Sequence, residues 1–206
     1  MKKIFIAIPT IGSIRIELAK FLLNIIHSSR YQIAIDMVSL GDICHNRNLL
    51  VKKFLQTKCD YILFCDSDIV PPMNILEMIK DDKDIVAPVN FTFKNGDLVP
   101  LMLKKNKQGY EIDKKAIDNK NYLVEVEATG LGCILIKQEV FNKLKKPCFQ
   151  YILDEDGLIK RGEDFNFCGK ARKAGYKIYV DKRFMTNHFS TVNLKEVNKM
   201  GVRNGR

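Results

Sequence analysis

Two carboxylates one residue apart, Asp66 and Asp68, follow directly on the unbroken apolar run Tyr61-Ile62-Leu63-Phe64-Cys65. Such a run reads as a strand buried on both faces, and ligand sites in open α/β sheets lie outside the carboxyl ends of strands. The pair therefore stands where chemistry is done. Two like charges this close repel unless a cation or hydrogen bonds offset them, and aspartate oxygens suit hard divalent ions such as Mg²⁺ or Mn²⁺. An ion held there can bridge to phosphate oxygens and stabilise a departing diphosphate. The plainer alternative is a capped turn ahead of Pro71-Pro72, which needs one short polar residue rather than two.

The elements around the pair must present it. Residues 3–9 read as a buried strand, followed by a Gly12-Ser13 turn and an amphipathic helix from Arg15 to His27. Residues 33–39 are a second strand, and a helix from Asn46 to Gln56 follows, with Leu50 and Phe54 on one face. After the strand at 61–65, Pro71-Pro72 predicts a helix start running to about Lys80. Strands at 84–89, 123–127 and 133–137, helices at 138–144 and 163–174, and a last strand from Tyr176 to Val180 complete the pattern. Strands alternating with helices specify a single α/β domain, Rossmann-like, with a mostly parallel central sheet, helices on both faces and a small antiparallel portion. The domain is expected over 1–188. Residues 95–120, polar and turn-rich, read as hairpins or a mobile insertion, and 189–206 as a basic C-terminal tail.

Composition bounds the function classes. At 206 residues, 46% apolar and 28% charged, the chain is one globular domain rather than a repeat array or a disordered segment. It contains no apolar run of the roughly 18 residues a membrane span needs, and no signal-peptide pattern, so a soluble cytoplasmic protein is expected. The cysteines, Cys44, Cys59, Cys65, Cys133, Cys148 and Cys168, form no C-x-x-C pair, which argues against a zinc ribbon and for reduced thiols. A formal charge of +10 favours polyanionic partners and makes nucleic acid a possible acceptor, although the excess is mostly lysine and fits genomic base composition equally well.

Two enzyme classes use an apolar strand ending in D-x-D. In haloacid-dehalogenase-like phosphatases the pattern is D-x-D-x-[TV], which Asp66, Asp68 and Val70 satisfy, and Asp66 would be a covalent nucleophile. Those enzymes carry the motif on the first strand with a late G-D-x-x-x-D element. Here it is on the third strand, and Gly162-Glu163-Asp164-Phe165 does not match. A catalytically idle nucleic-acid-binding protein rests on net charge alone.

Over most of its length the chain resembles a family-2-like GT-A glycosyltransferase. The resemblance is carried by Ile6 to Thr10, by His45-Asn46-Arg47-Asn48, and by Tyr61 to Pro72 followed by Asp84 to Val89. It continues through Thr129 to Ile136, Gly162 to Cys168, Gly175 to Asp181 and Asn187-His188. It implies a nucleotide-sugar donor, a UDP- or GDP-sugar, and an acceptor hydroxyl on a glycan, a small molecule or a modified DNA base. Pro9, Thr10, Arg47, Asp66 and Ser67 would meet the donor, Arg47 by pairing with diphosphate oxygens. Asp66, Asp68 and His188 would hold Mn²⁺ or Mg²⁺, and Gly130 and Gly132 would lie on the acceptor side. Asp164, beside Glu163, would be the general base of an inverting transfer. The second strand lacks the pair of aspartates that many such enzymes present to the base, offering only Asp36, Ser39 and Asp42 nearby. The sugar-nucleotide pyrophosphorylases share the fold, but their glycine-rich N-terminal loop is absent, since Pro9 to Ser13 holds a single glycine.

Overall fold

The structure, a computed structural model, describes residues 1–94, 97–107 and 109–191. Seven strands form the central sheet: β1 (Lys3–Pro9), β2 (Gln32–Val38), β3 (Tyr61–Cys65), β4 (Ile85–Val89), β5 (Leu123–Val126), β6 (Cys133–Lys137) and β7 (Ile178–Met185). Their spatial order is β5-β7-β4-β6-β3-β1-β2. β1, β2, β3, β4 and β7 run in one sense, while β5 and β6 run against it. The sheet is thus mostly parallel with an antiparallel portion, as expected.

Period-two alternation sorts its side chains onto two cores. Ile4, Ile6 and Ile8 of β1 and Leu63 of β3 face helix α1 (Ile16–Ser28), whose Leu18, Phe21, Leu22 and Ile25 cover them. Phe5 and Ala7 of β1 and Ile62 and Phe64 of β3 face the opposite way, under α2 (Ile43–Leu55) and α5 (Glu163–Lys173). Phe54 of α2 sits between Phe5 and Phe141 at ring separations of 5.8 and 6.2 Å, joining the first strand to α4 (Gln138–Lys143). Because β1 leads to β2 on one side and β2 returns to β3 on the other, the crossovers put α1 and α2 on opposite faces. That reversal opens a crevice beyond the carboxyl ends of β1 and β3.

Several local expectations change. α2 starts at Ile43 rather than Asn46, because the Asp42 side chain accepts from the His45 amide at 2.8 Å and caps the helix earlier. The segment after Pro71-Pro72 forms a 3₁₀ helix, Ile75–Asp81, instead of an α-helix starting at the prolines. A proline pushes its predecessor out of the α region and brings no N–H, so the turn begins only when the Ile75 amide bonds Pro72 O. β7 continues past Val180 through three charged residues. Asp181 is buried there because Arg183 binds both its oxygens and also reaches Asp81. The region read as hairpins or a mobile insertion contains paired strands, Phe91–Lys94 with Asp97–Pro100 and Leu103–Lys105 with Tyr110–Ile112, and a short helix α3 (Lys114–Asp118). Residues 95, 96 and 108, and 192–206 of the expected tail, lie outside the described residues. All six cysteines are buried and unpaired. Among the described residues no helix is long and apolar enough to cross a membrane.

Phe54→Ala is expected to lower unfolding free energy by about 3–5 kcal/mol in urea denaturation. Leu40→Ala, at a side chain 75% exposed, should stay within about 0.5 kcal/mol of the parent protein.

Candidate active site

The Asp66-Ser67-Asp68 turn leaves β3 as a tight reversal, closed by the Ile69 amide on Asp66 O at 3.0 Å. Its first residue is pinned from the neighbouring strand, where Gly132 O accepts from the Asp66 amide at 2.8 Å. A β-carbon on Gly132 would lie 3.2 Å from Ile69 Cγ1 and 3.4 Å from Asp66 Oδ2, so the missing side chain leaves room for the carboxylate. Gly130 is tied differently: its carbonyl accepts from Asn90 Nδ2 at 3.1 Å. Both glycines stand at the sheet edge that carries the aspartates.

Arg47, one turn into α2, is 2% exposed. Its Nη2 lies 2.9 Å from both oxygens of Asp66 and its Nη1 lies 2.5 Å from Glu163 Oε1. The guanidinium therefore joins three elements: α2, the exit of β3 and the first turn of α5. This differs from the expectation that Arg47 would pair with a diphosphate, because its charge is used on two protein carboxylates behind the cleft wall. Burial pushes the Asp66 carboxyl up from its ordinary value, with Arg47 pulling the other way.

Asp68 has its own partner. The two-residue strands Ile69–Val70 and Asn187–His188 pair antiparallel, and the Phe189 amide bonds Asp68 O at 2.9 Å. His188 Nε2 then sits 3.4 Å from Asp68 Oδ2, while its Nδ1 is 2.9 Å from Phe91 O. The hydrogen bond from His188 holds Asp68 below its ordinary value, and Asp68 in turn raises His188 to about 9. His188 lies on a short strand beyond β7. Among the described residues no three His, Cys, Asp or Glu side chains form a group that could hold a metal by themselves.

The α5 turn carries the remaining acids. Glu163 is taken by Arg47. Asp164 accepts from the Phe165 amide at 2.7 Å, and burial followed by the adjacent Glu163 raises it to about 6. Gly162 precedes them, and a β-carbon there would come within 2.9 Å of Asp164 Oδ1.

A cleft of about 650 Å³ opens between the β1 exit and the Asp66-Ser67-Asp68 turn, bordered by Pro9, Thr10, Asp66, Ser67 and Asp68; Glu163 and Asp164 are not among the residues that border it. Its size suits a small-molecule ligand. Thr10 Oγ1 donates to Ser13 O at 2.5 Å and accepts from the Gly12 amide at 3.2 Å, folding residues 10–13 into its wall. Residues that sequence reasoning did not assign also border it, among them Arg15, Asn46 and Phe189. Asn46 is a buried clamp, donating to Thr10 O and Gly41 O and accepting from the amides of Leu40 and Gly41. Polar residues at a helix start give no local sign of burial; only the packing of α2 against β1 does. The acids near the second strand have structural partners, Asp36 pairing with Lys53 at 2.9 Å and Asp42 capping α2.

No family model matches the chain, and no curated protein matches it. Among solved structures it is similar to A197 from STIV, at 23% identity and a TM-score of 0.61, covering 93% of this chain and 87% of that one. It is also similar to UDP-glucose pyrophosphorylase complexed with UDP-glucose, at 6% identity and a TM-score of 0.53, covering 98% of this chain and 99% of that one. S. aureus TarS 1-349 matches at 17% identity and a TM-score of 0.48, over 87% of this chain and 58% of that one. The first two likenesses establish the fold: a Rossmann-like α/β domain of the GT-A and nucleotidyltransferase type.

Arg47→Ala strands two carboxylates and is expected to cost about 3–5 kcal/mol in denaturant titration, with Arg47→Lys losing less. Asp164 behaves oppositely. Its folded value of about 6 exceeds its ordinary 3.8, so the folded state binds the proton more tightly, and stability falls as pH rises through that window. Asp164→Asn should therefore be more stable than the parent at pH 7.5, by on the order of 1–3 kcal/mol, with the gain vanishing below about pH 4.

Proposed function

We propose that this chain is a nucleotide-sugar-dependent glycosyltransferase, moving a sugar from a UDP- or GDP-sugar to an acceptor hydroxyl with the aid of Mn²⁺ or Mg²⁺. The observation that carries the reading is the meeting of Asp68 and His188, 3.4 Å apart, at the turn that borders the 650 Å³ cleft. Once His188 gives up the proton it shares with Asp68, their donor set, one hard oxygen and one imidazole nitrogen, would fit Mn²⁺ and tolerate Mg²⁺, with Nδ1 keeping its hydrogen bond to Phe91 O. Such ions are commonly held by one or two protein groups, with substrate phosphates and water completing the shell. Asp66, facing Arg47, completes that edge as a fixed negative wall. When bound, the cation supplies Lewis-acid charge for the leaving diphosphate.

The chain's own groups do the rest. Pro9, Thr10 and Ser67 form the walls that seat the nucleotide. Asp164, raised to about 6, is poised as the base that takes the acceptor hydroxyl proton in an inverting displacement. Arg47 holds Glu163 beside it and Asp66 opposite, so both halves of the site keep one spacing. Gly132 leaves room beside the turn for the Asp66 carboxylate, while Gly130 is packed against Leu101, which lies 2.6 Å from where its β-carbon would be.

Nucleotidyl transfer is the second reading, favoured by the full-length fold match to UDP-glucose pyrophosphorylase. The two differ in product: glycosyl transfer releases a nucleoside diphosphate, nucleotidyl transfer pyrophosphate. Incubation with UDP- and GDP-sugars and Mn²⁺ is expected to release UDP or GDP. Chelation or Asp68→Ala should abolish the release, and Asp164→Asn should cut kcat by about 10²-fold or more. Turnover should fall as pH drops through about 6, where Asp164 takes up its proton. Undiminished turnover after chelation would remove the metal role, and release of pyrophosphate from UTP or GTP with a sugar-1-phosphate, with no UDP or GDP released from the sugar nucleotides, would replace the reaction.

A further inference from the structure

A diphosphate leaving group carries more charge than one divalent ion offsets, and Arg47, the arginine nearest the aspartates in sequence, is committed to Asp66 and Glu163. Arg15 is placed differently. Its side chain is 44% exposed and borders the same cleft as Asp66, Ser67 and Asp68. Its backbone amide donates to Ser67 O at 3.1 Å, which fastens the residue to the turn that carries both aspartates. Its guanidinium carbon lies 4.5 Å from the centre of the Phe189 ring. Phe189 is itself fastened to that turn through its amide on Asp68 O.

Two carboxylates lie near Arg15: Glu17, 3.5 Å from Nε, at the outer limit of a hydrogen bond and on an exposed surface where such a pair contributes little, and Asp68, which feels the Arg15 charge across the cleft without a hydrogen bond to it. Among the described residues no acceptor reaches its two terminal nitrogens. A guanidinium stacked on a ring, with that fork open to a cleft, matches phosphate oxygens in geometry as well as charge.

We infer that Arg15 is the cation that receives the β-phosphate of a nucleoside-diphosphate donor, with Phe189 as the positioning residue that holds its guanidinium toward the cleft. This rests on the donor class proposed above and adds a residue to it. The ring fixes the plane of the fork, and the bond between Ser67 and the Arg15 amide fixes its distance from the turn. Lysine at position 15 would keep the charge but lose the paired donors and the flat stack.

Calorimetric titration with UDP, GDP and their monophosphates, in Mg²⁺ buffer, tests it on the full chain. Arg15→Gln is expected to weaken diphosphate binding roughly 10-fold or more while leaving the monophosphate nearly unchanged, and Arg15→Lys should fall between. Phe189→Ala should weaken the diphosphate about 3-fold alone and have no further effect in the Arg15→Gln background, the signature of coupled residues. Unchanged melting temperatures exclude a folding cause, since both side chains are at least partly exposed. If the parent protein binds UDP or GDP and Arg15→Gln binds it as tightly, the assignment of Arg15 fails while the donor class stands. Equal loss for the mono- and diphosphate would also overturn it. If the parent binds no nucleotide diphosphate, the donor class itself fails and this inference with it.

Discussion

A buried guanidinium placed between two carboxylates constrains this molecule more than any other contact. Removing an ion from water costs several kcal/mol, and Arg47 recovers that only by binding Asp66 with one nitrogen and Glu163 with another. Its Nε is buried without a partner, so the geometry satisfies the two acids at the expense of the third donor. The consequence is a fixed span. The turn after β3 and the first turn of α5 cannot separate without exposing an unpaired charge. The acid raised toward neutrality, Asp164, is carried on the same α5 turn.

Around that span the sheet edge is built from neutral backbone contacts. Gly132 O holds the Asp66 amide, Ser67 O holds the Arg15 amide, and Asp68 O holds the Phe189 amide. Each residue of the D-x-D turn is thus tied by its main chain to a different segment of the chain. The crevice between β1 and β3 results from the reversal of strand order about β1, with β2 added on one side and β3 on the other. Asn46 closes its floor by joining the end of β1 to the loop before α2.

The electrostatics of the turn differ from what two neighbouring aspartates suggest. Repulsion between them is offset within the protein, because Asp66 has Arg47 and Asp68 has His188. Charge balance alone therefore does not demand a bound cation. The fold, shared with A197 from STIV and UDP-glucose pyrophosphorylase, is compatible with more than one reaction, and the side chains at this edge must decide among them.

By itself the sequence determined the seven strands of the central sheet, helices α1, α2, α4 and α5, and the place of the acids at a strand exit. An apolar run such as Tyr61 to Cys65 can be satisfied only inside a sheet, and the period of Leu50, Val51 and Phe54 only on a helix face. Both are local signals, readable without knowing the neighbours. The partners of the acids were not local. Whether Arg47 meets a phosphate or Asp66, and whether His188 meets Asp68, depends on which strands lie side by side and in which register. The same holds for Asp181, one residue past the expected end of the last strand at Val180, which Arg183 and the register of β7 place inside. Tertiary structure decided these pairings because a side chain's reach is a few ångströms, and only the folded sheet brings residues far apart in the chain within it.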